Sequence, residues 1–363
     1  VTHLIQPSRP ALATVISYDA FHKRHTLEGH PENHRRVEES WSLLQIDGIL
    51  HRVQQLPTTP APYDALLRVH SRAYLDRLEN TVLLGGGRLD SDTYLTPDSF
   101  HAALLSAGGL LDVVDAVMRG KARNGMALGR PPGHHAMPHW GMGFCLLANA
   151  AIAARWAQDR HGAERVLIVD IDVHHGNGTQ DVFYQDPSVL FFSVHEFPHY
   201  PGTGAATETG EGRGQGSTLN VPLPPDVGDA GYLEVVQQLL VPAARRFRPD
   251  LILVSAGYDG HWLDPLADMK LSVTGYTQLL GELMGLADEL CGGRLAVTLE
   301  GGYHIGALSH SILSALRLLS NSPQGPSDPF GPAPGPVREI HALLDKVHRL
   351  HHLPDRPAYS LGG

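Results

Sequence analysis

Residues 166–171 read V-L-I-V-D-I, a run with a single polar member. A strand that wets one face alternates polar and apolar side chains. A run like this one belongs to a strand covered on both faces, as in the middle of a parallel sheet. Short runs rich in β-branched residues recur at Thr14–Tyr18, Val189–Val194, Leu251–Ser255 and Leu295–Leu299. Among them lie stretches with apolar residues at three- and four-residue spacing, roughly 31–50, 97–119, 145–160, 230–246, 273–290 and 304–319. The alternation predicts an α/β fold in which helices cover both faces of a parallel sheet. With 363 residues and 42% hydrophobic content the chain can bury a large core, and one undivided domain over 1–363 is expected.

The segment 321–336, N-S-P-Q-G-P-S-D-P-F-G-P-A-P-G-P, cannot continue a helix and is expected to be a loop or linker. Beyond it, a helix over about 337–351 puts Ile340, Leu343, Leu344, Val347 and Leu350 on one face. Such a stripe packs back on its own domain or serves as a subunit contact, which leaves a homo-oligomer open.

A net charge of -10 excludes a chain that grips a phosphate backbone by itself. Cys145 and Cys291 are too few and too isolated for a disulfide framework or a thiolate metal site, and fit a reducing, cytoplasmic setting. No apolar run reaches the roughly 18 residues of a membrane span, and no signal peptide is apparent at the N-terminus.

Histidine is the anomaly, with 23 residues. The informative ones lie beside carboxylates just after apolar runs, because ligands of open α/β sheets bind outside the carboxyl ends of the strands. Four places qualify: R-P-P-G-H-H (130–135), D-I-D-V-H-H-G-N-G (170–178), S-A-G-Y-D (255–259) and E-G-G-Y-H (300–304). In an extended chain Asp172 and His174, two apart, share a face and can converge on one ion. Asp259 is the natural third ligand, which gives a three-ligand site with positions left for water and substrate, as in catalytic zinc. Asp170 lies on the same face, and spacing leaves open whether it binds metal or orients a histidine. His134 and His135 follow a rigid Pro-Pro-Gly turn that would fix paired imidazoles. Tyr303 follows Gly301-Gly302, a flexible backbone that could swing a phenol over a substrate carbonyl. The segment His195–His199 matches H-E-x-x-H, but it follows a strand and contains Pro198, so the helix that this metalloprotease signature requires is not expected.

Laid out in order, these residues resemble the histone deacetylase family, closest to its class II and bacterial amidohydrolase members, over about 12–320. The likeness rests on H-P-E (30–32) with Arg36, R-P-P-G-H-H, G-F-C (143–145), D-I-D-V-H-H-G-N-G-T-Q (170–180), S-A-G-Y-D and E-G-G-Y. It implies a single arginase-like domain with an eight-stranded parallel sheet and one zinc ion, held by Asp172, His174 and Asp259, at the foot of a narrow tunnel. It further implies that Asp170 holds His134, which acts electrostatically, and that His135, beside Asn177, is the base that deprotonates water and then protonates the leaving amine. Phe144, with Gly143 before it, and Tyr200 are implied as tunnel walls, Asp92 as a rim carboxylate for substrate backbone, and Arg36 as lining an inner channel. Potassium is implied near Asp170, Asp172, His174, Ser193 and Val194.

Asn177 stands where class I members carry Asp, and an amide stabilises an imidazolium less than a carboxylate does, so His135 is expected to be a weaker base than in a carboxylate-paired site. Tyr200 stands where Phe is usual. The expected reaction is amide hydrolysis of N-acyl-lysine in peptides or proteins, or of a related small acylated amine. An acetylpolyamine amidohydrolase and a non-catalytic acyl-lysine binding module are the alternatives, and Tyr303 opposes the second. An arginase-type ureohydrolase lacks its extra carboxylates here. Leu266 is expected at the tunnel rim, where acetylpolyamine-preferring relatives place Glu. Ligands without thiolate would also accept ferrous iron or cobalt.

Overall fold

In the computed structural model, which describes residues 13–354, the apolar runs form the interior of an eight-stranded sheet. Its strands are β1 (Ala13–Ser17), β2 (Gln54–Leu56), β3 (Ala122–Ala127), β4 (Val166–Asp170), β5 (Val189–Glu196), β6 (Thr218–Leu223), β7 (Leu251–Ala256) and β8 (Leu295–Leu299). Their order across the sheet is β2-β1-β3-β8-β7-β4-β5-β6, and every neighbouring pair is parallel. Every residue of β4, β5, β7 and β8 is buried, as double-sided helix cover demands. The single domain expected over 1–363 extends past the described residues at both ends, and the family likeness from about residue 12 begins just before them.

Three strands carry no apolar run. β2 is a three-residue edge strand with exposed glutamines. β3, A-R-N-G-M-A, contains Gly125, where an added Cβ would stand 2.8 Å from Val113 Cγ1, so the helix over this strand packs too closely for a side chain. β6 contains Pro222, which an edge strand tolerates because its outer side needs no donor.

The periodic stretches become helices Arg35–Asp47, Ser99–Met118, Asn149–His161, Val273–Cys291 and Ile305–Leu319, while 230–246 divides into Asp229–Val235, a π turn and Val241–Phe247. Helix Ser99–Met118 is long and apolar enough to cross a membrane by length and composition alone, which the run-length reading overlooked. It is instead a core helix packed on Asn149–His161 and on β3. The final helix, His341–Leu350, is shorter than expected, and Ile340, Leu344 and Val347 are buried in the main core, so its stripe packs back on the domain. The segment 321–336 forms no helix or strand, yet it is tied down: Thr274 N donates to Asp328 Oδ2 (3.0 Å) and Trp262 Nε1 to the Gly331 carbonyl (3.1 Å).

Candidate active site

The four motifs leave the carboxyl ends of β3, β4, β7 and β8, and these are the four central strands, adjacent in the sheet. Segments far apart in sequence thus converge on one site. The chain after β4 is bent rather than extended, so Asp172 and His174 do not converge by strand alternation as the spacing suggested. Short turns bring them together instead. Asp170 Oδ1 accepts from Asp172 N (3.1 Å), Asp172 Oδ1 from His174 N (2.9 Å), and Asp259 Oδ1 from Val173 N (3.0 Å).

One ligand atom each from Asp172, His174 and Asp259 lie within 4.8 Å of one another, and all three residues are buried. His174 Nδ1 stands 3.1 Å from Asp172 Oδ1 and 3.3 Å from Asp259 Oδ2. A single ring nitrogen carries at most one hydrogen, so it cannot serve both carboxylates, and Asp259 Oδ2 has no hydrogen bond although it is buried. Two carboxylates and an imidazole aimed at one point are a donor set for a divalent cation. With protein charges alone, burial opposes protonation of His174, but Asp172 and Asp259 push its pKa up to about 10. The nearby group His134, Cys145 and Glu300 is equally tight, but the Glu300 carboxylate is already committed. Gly133 N donates to it (2.7 Å), as do His134 N (3.2 Å) and Ser255 Oγ (3.0 Å).

The paired imidazoles have ring centres 4.0 Å apart and opposite environments. His134 Nδ1 donates to Asp170 Oδ2 at 3.0 Å; burial disfavours its charge, but Asp172, Asp170 and Glu300 hold its pKa well above the usual value. His135 Nδ1 donates to Asn177 Oδ1 at 2.8 Å, with the Asn177 amide turned onto Met137 Sδ (3.1 Å). Burial, then His134 and His174, push the His135 pKa well down, and the Asn177 hydrogen bond resists only in part. Burial is thus the main cause of the low basicity expected from Asn177.

The Tyr303 loop is clamped rather than free to swing. Gly301 N donates to Asp172 Oδ2 (2.7 Å), Tyr258 N to the Gly301 carbonyl (3.1 Å), and Arg36 Nε to the Gly302 carbonyl (2.7 Å). A side chain at 301 would stand 2.6 Å from Asp172 Oδ2, so glycine is needed there for close approach of the backbone to the carboxylates. Arg36 is fully buried, bound to Glu32, with its guanidinium 4.9 Å from the Tyr303 ring centre; it braces this loop from behind. Burial raises the phenol pKa well above its usual value, so Tyr303 remains a donor at neutral pH.

Phe144 and Tyr200 stand against the same group of residues. The Phe144 ring meets Tyr303 edge-on at 5.9 Å, and Tyr200 meets His135 edge-on at 5.1 Å. Gly143 and Phe144 both have positive φ, and a side chain at 143 would run into the His135 ring, 2.8 Å from its Cγ and closer still to its Cδ2. Asp92 is half-buried in the loop whose Thr93 Oγ1 accepts from Phe144 N (3.1 Å). Leu266 is half-buried, absent from the core clusters, and follows Asp264, whose carboxylate accepts from Tyr303 N (2.6 Å). Val194 and Ser193 lie on β5, with Ser193 beside Asp170 in register. His195 ends within β5, its ring nitrogens bonded to Ser193 Oγ and the Gly204 carbonyl (2.9 Å each), so H-E-x-x-H is not helical.

The histone deacetylase domain model matches residues 30–319, most of the chain. This chain belongs to the histone deacetylase family. It is 41% identical over 353 residues to the chloroplastic histone deacetylase 10 of Oryza sativa, covering 91% of this chain and 79% of that protein. It is 42% identical over 303 residues to the histone deacetylase-like amidohydrolase of Pseudomonas aeruginosa, covering 83% and 78%. The crystal structure of the HDA15 HD domain superposes with a TM-score of 0.86 at 35% identity, covering 94% of this chain and 95% of that one. The arginase-like fold and a zinc-dependent, hydrolytic deacetylase activity on acyl-lysine or acylated amines follow from the family.

Three supports of this site escaped sequence reasoning, although Glu32, Arg130 and Glu300 stood in the motifs. Glu32 and Arg130 form a buried bidentate pair that anchors the turn before His134. Glu300 caps the amides of Gly133 and His134. Asp264 binds the Tyr303 backbone. An acid or Arg beside a catalytic motif, with no chemistry of its own to perform, was the available signal.

Proposed function

We propose that this chain hydrolyses N-acyl-lysine amides with one zinc ion held by Asp172, His174 and Asp259. The observation that carries this is the convergence of these three side chains with Asp259 Oδ2 buried and unbonded, facing the His134–His135 pair. Bound there, zinc supplies Lewis acidity for the acyl carbonyl and for water. His135, held neutral by burial, takes the water proton and returns it to the leaving amine. His134, paired with Asp170, acts electrostatically on the developing negative charge. Tyr303, a protonated phenol, donates to the oxyanion. Phe144 and Tyr200 clasp the lysine methylenes, with Gly143 leaving room for the His135 ring, and Asp92 takes substrate backbone at the rim. Arg36 acts through the Tyr303 loop. Potassium at Asp170, Asp172, His174, Ser193 and Val194 would reinforce the turn after β4. Two free, buried cysteines support a reducing, cytoplasmic compartment.

Leu266 supports acyl-lysine peptides over acetylpolyamines, because an apolar side chain offers no partner to a distal ammonium. The test is turnover of a fluorogenic acetyl-lysine peptide, with metal content measured before and after chelation. Loss of turnover on removal of about one zinc per chain and recovery on its return are expected. Undiminished turnover by the stripped protein would refute the metal assignment.

A further inference from the structure

We propose that Asp264 is a positioning residue for Tyr303, gripping its backbone so that the phenol is held where the oxyanion forms. This rests on the reading of Tyr303 as the oxyanion donor. Gly301 and Gly302 precede the tyrosine, and Gly302 has φ 118°, a conformation that leaves the loop without intrinsic rigidity. The other clamps hold Gly301 and Gly302: Asp172, Tyr258 and Arg36. Asp264 grips the tyrosine itself. Its Oδ2 accepts from Tyr303 N (2.6 Å) and from His304 N (3.0 Å). Its own position is fixed by two bonds within its turn, from Asp264 N to the His261 carbonyl (2.7 Å) and from Leu266 N to Oδ1 (3.1 Å).

The alternative is that Asp264 only caps helix Ile305–Leu319. That helix already has a cap, because His304 Nδ1 accepts from Ala307 N at 3.1 Å. The amides that Asp264 binds, at 303 and 304, precede the helix, and the first belongs to the tyrosine. Asp264 also stands on the loop that runs from Asp259 to Leu266, so one carboxylate ties the loop of a metal ligand to the phenol's backbone. Displacing a donor by about 1 Å can cost on the order of 10²-fold in rate.

The experiment compares Asp264→Ala, Asp264→Asn and Asp264→Glu, each with and without Tyr303→Phe, in the zinc-loaded full chain. Asn keeps an oxygen for the two amides, whereas Glu keeps the charge but moves the oxygen by a methylene. Asp264→Ala and Asp264→Glu are expected to lower kcat by roughly 10- to 100-fold with KM and zinc content unchanged, and Asn to restore most of it. In the Tyr303→Phe background, Asp264→Ala is expected to cost nothing further. Independent, multiplying losses, or a Glu variant faster than the Asn variant, would overturn the proposal. If Asp264→Ala does not fold, the order of Asn and Glu decides alone. Full activity of Tyr303→Phe sinks the reading of Tyr303 and this inference with it; a slow Tyr303→Phe beside an unimpaired Asp264→Ala sinks only the inference.

Discussion

One side of the site, after β4 and β7, holds Asp170, Asp172 and Asp259 around His134 and His174, and there the carboxylates favour positive charge, whether a proton on the imidazoles or a cation between the ligands. The other side holds His135, Asn177, Tyr303, Phe144 and Tyr200, with no carboxylate among the described residues in hydrogen-bond contact with His135, and there the imidazole is driven neutral. His134 and His135 are neighbours in sequence and in contact, so the identity of the residue does not decide its protonation. Both rings are buried, and the charges around them make the difference: carboxylates for one, and for the other two imidazoles with an amide hydrogen bond that offsets them only in part. A site divided in this way can hold a cation on one side and move protons on the other.

The largest break comes from the charged side. Asp259→Asn or His174→Ala removes one of three ligands, so zinc content is expected to fall below stoichiometric and turnover with it, by on the order of 10³-fold or more. Metal analysis of the purified variants checks this, and full occupancy in both would show that the ligand set is wrongly drawn. On the neutral side, Tyr303→Phe is expected to leave zinc and KM in place while kcat falls by roughly 10²- to 10³-fold, the usual cost of one oxyanion donor. Steady-state kinetics at saturating peptide reads it, and an unchanged kcat removes Tyr303 from the mechanism.

The same division explains what could be read without coordinates. Apolar runs announced β4, β5, β7 and β8 because both of their faces are buried, and polar residues after them marked the pocket. β2, β3 and β6 were hidden because an edge strand needs no apolar run and because Gly125 and Pro222 contradict strand propensity for local reasons. Ligand and proton-handling candidates were legible since their chemistry is written in their type. Asp264, Glu300 and the Glu32–Arg130 pair were not, because their partners are backbone amides or residues 98 positions away, which no local spacing encodes. The Asp172–His174 pair was found by an argument from strand alternation, although turns bring the two together.

Adding a carboxylate to the neutral side at its rim sharpens the comparison from another direction. Leu266→Glu would place an acid near Tyr303 through the Asp264 turn, where it can pair with the distal ammonium of N8-acetylspermidine. A partly desolvated pair of this kind is worth about 1.4 kcal/mol or more, so the kcat/KM ratio of polyamine to acetyl-lysine peptide is expected to rise roughly ten-fold. A wild type that already prefers the polyamine, or a ratio that does not move, would take Leu266 off the rim; joint loss of both activities with stability would make it a packing residue.

The smallest expected effect is the most direct test of the division, because Asn177→Asp gives His135 the kind of partner that His134 has. The amide oxygen lies 2.8 Å from His135 Nδ1, so the replacing carboxylate inherits the hydrogen bond and adds a charge. A negative neighbour favours imidazolium, which raises the His135 pKa from its depressed position. His135 must be neutral to accept the water proton, so more of it is inactive at acid pH and the rising limb of the kcat/KM profile moves to higher pH by the same amount. Above that limb the stronger base is expected to turn over modestly faster, since proton transfer follows base strength. The amide nitrogen now rests on Met137 Sδ, and replacing it with oxygen loses that contact, so a small fall in Tm is expected without loss of zinc. The measurement is a full pH–rate profile of both proteins. A limb that stays in place would mean that His135 is not the base whose protonation limits the reaction, and a limb that moves to lower pH would mean that the new carboxylate has become a base itself.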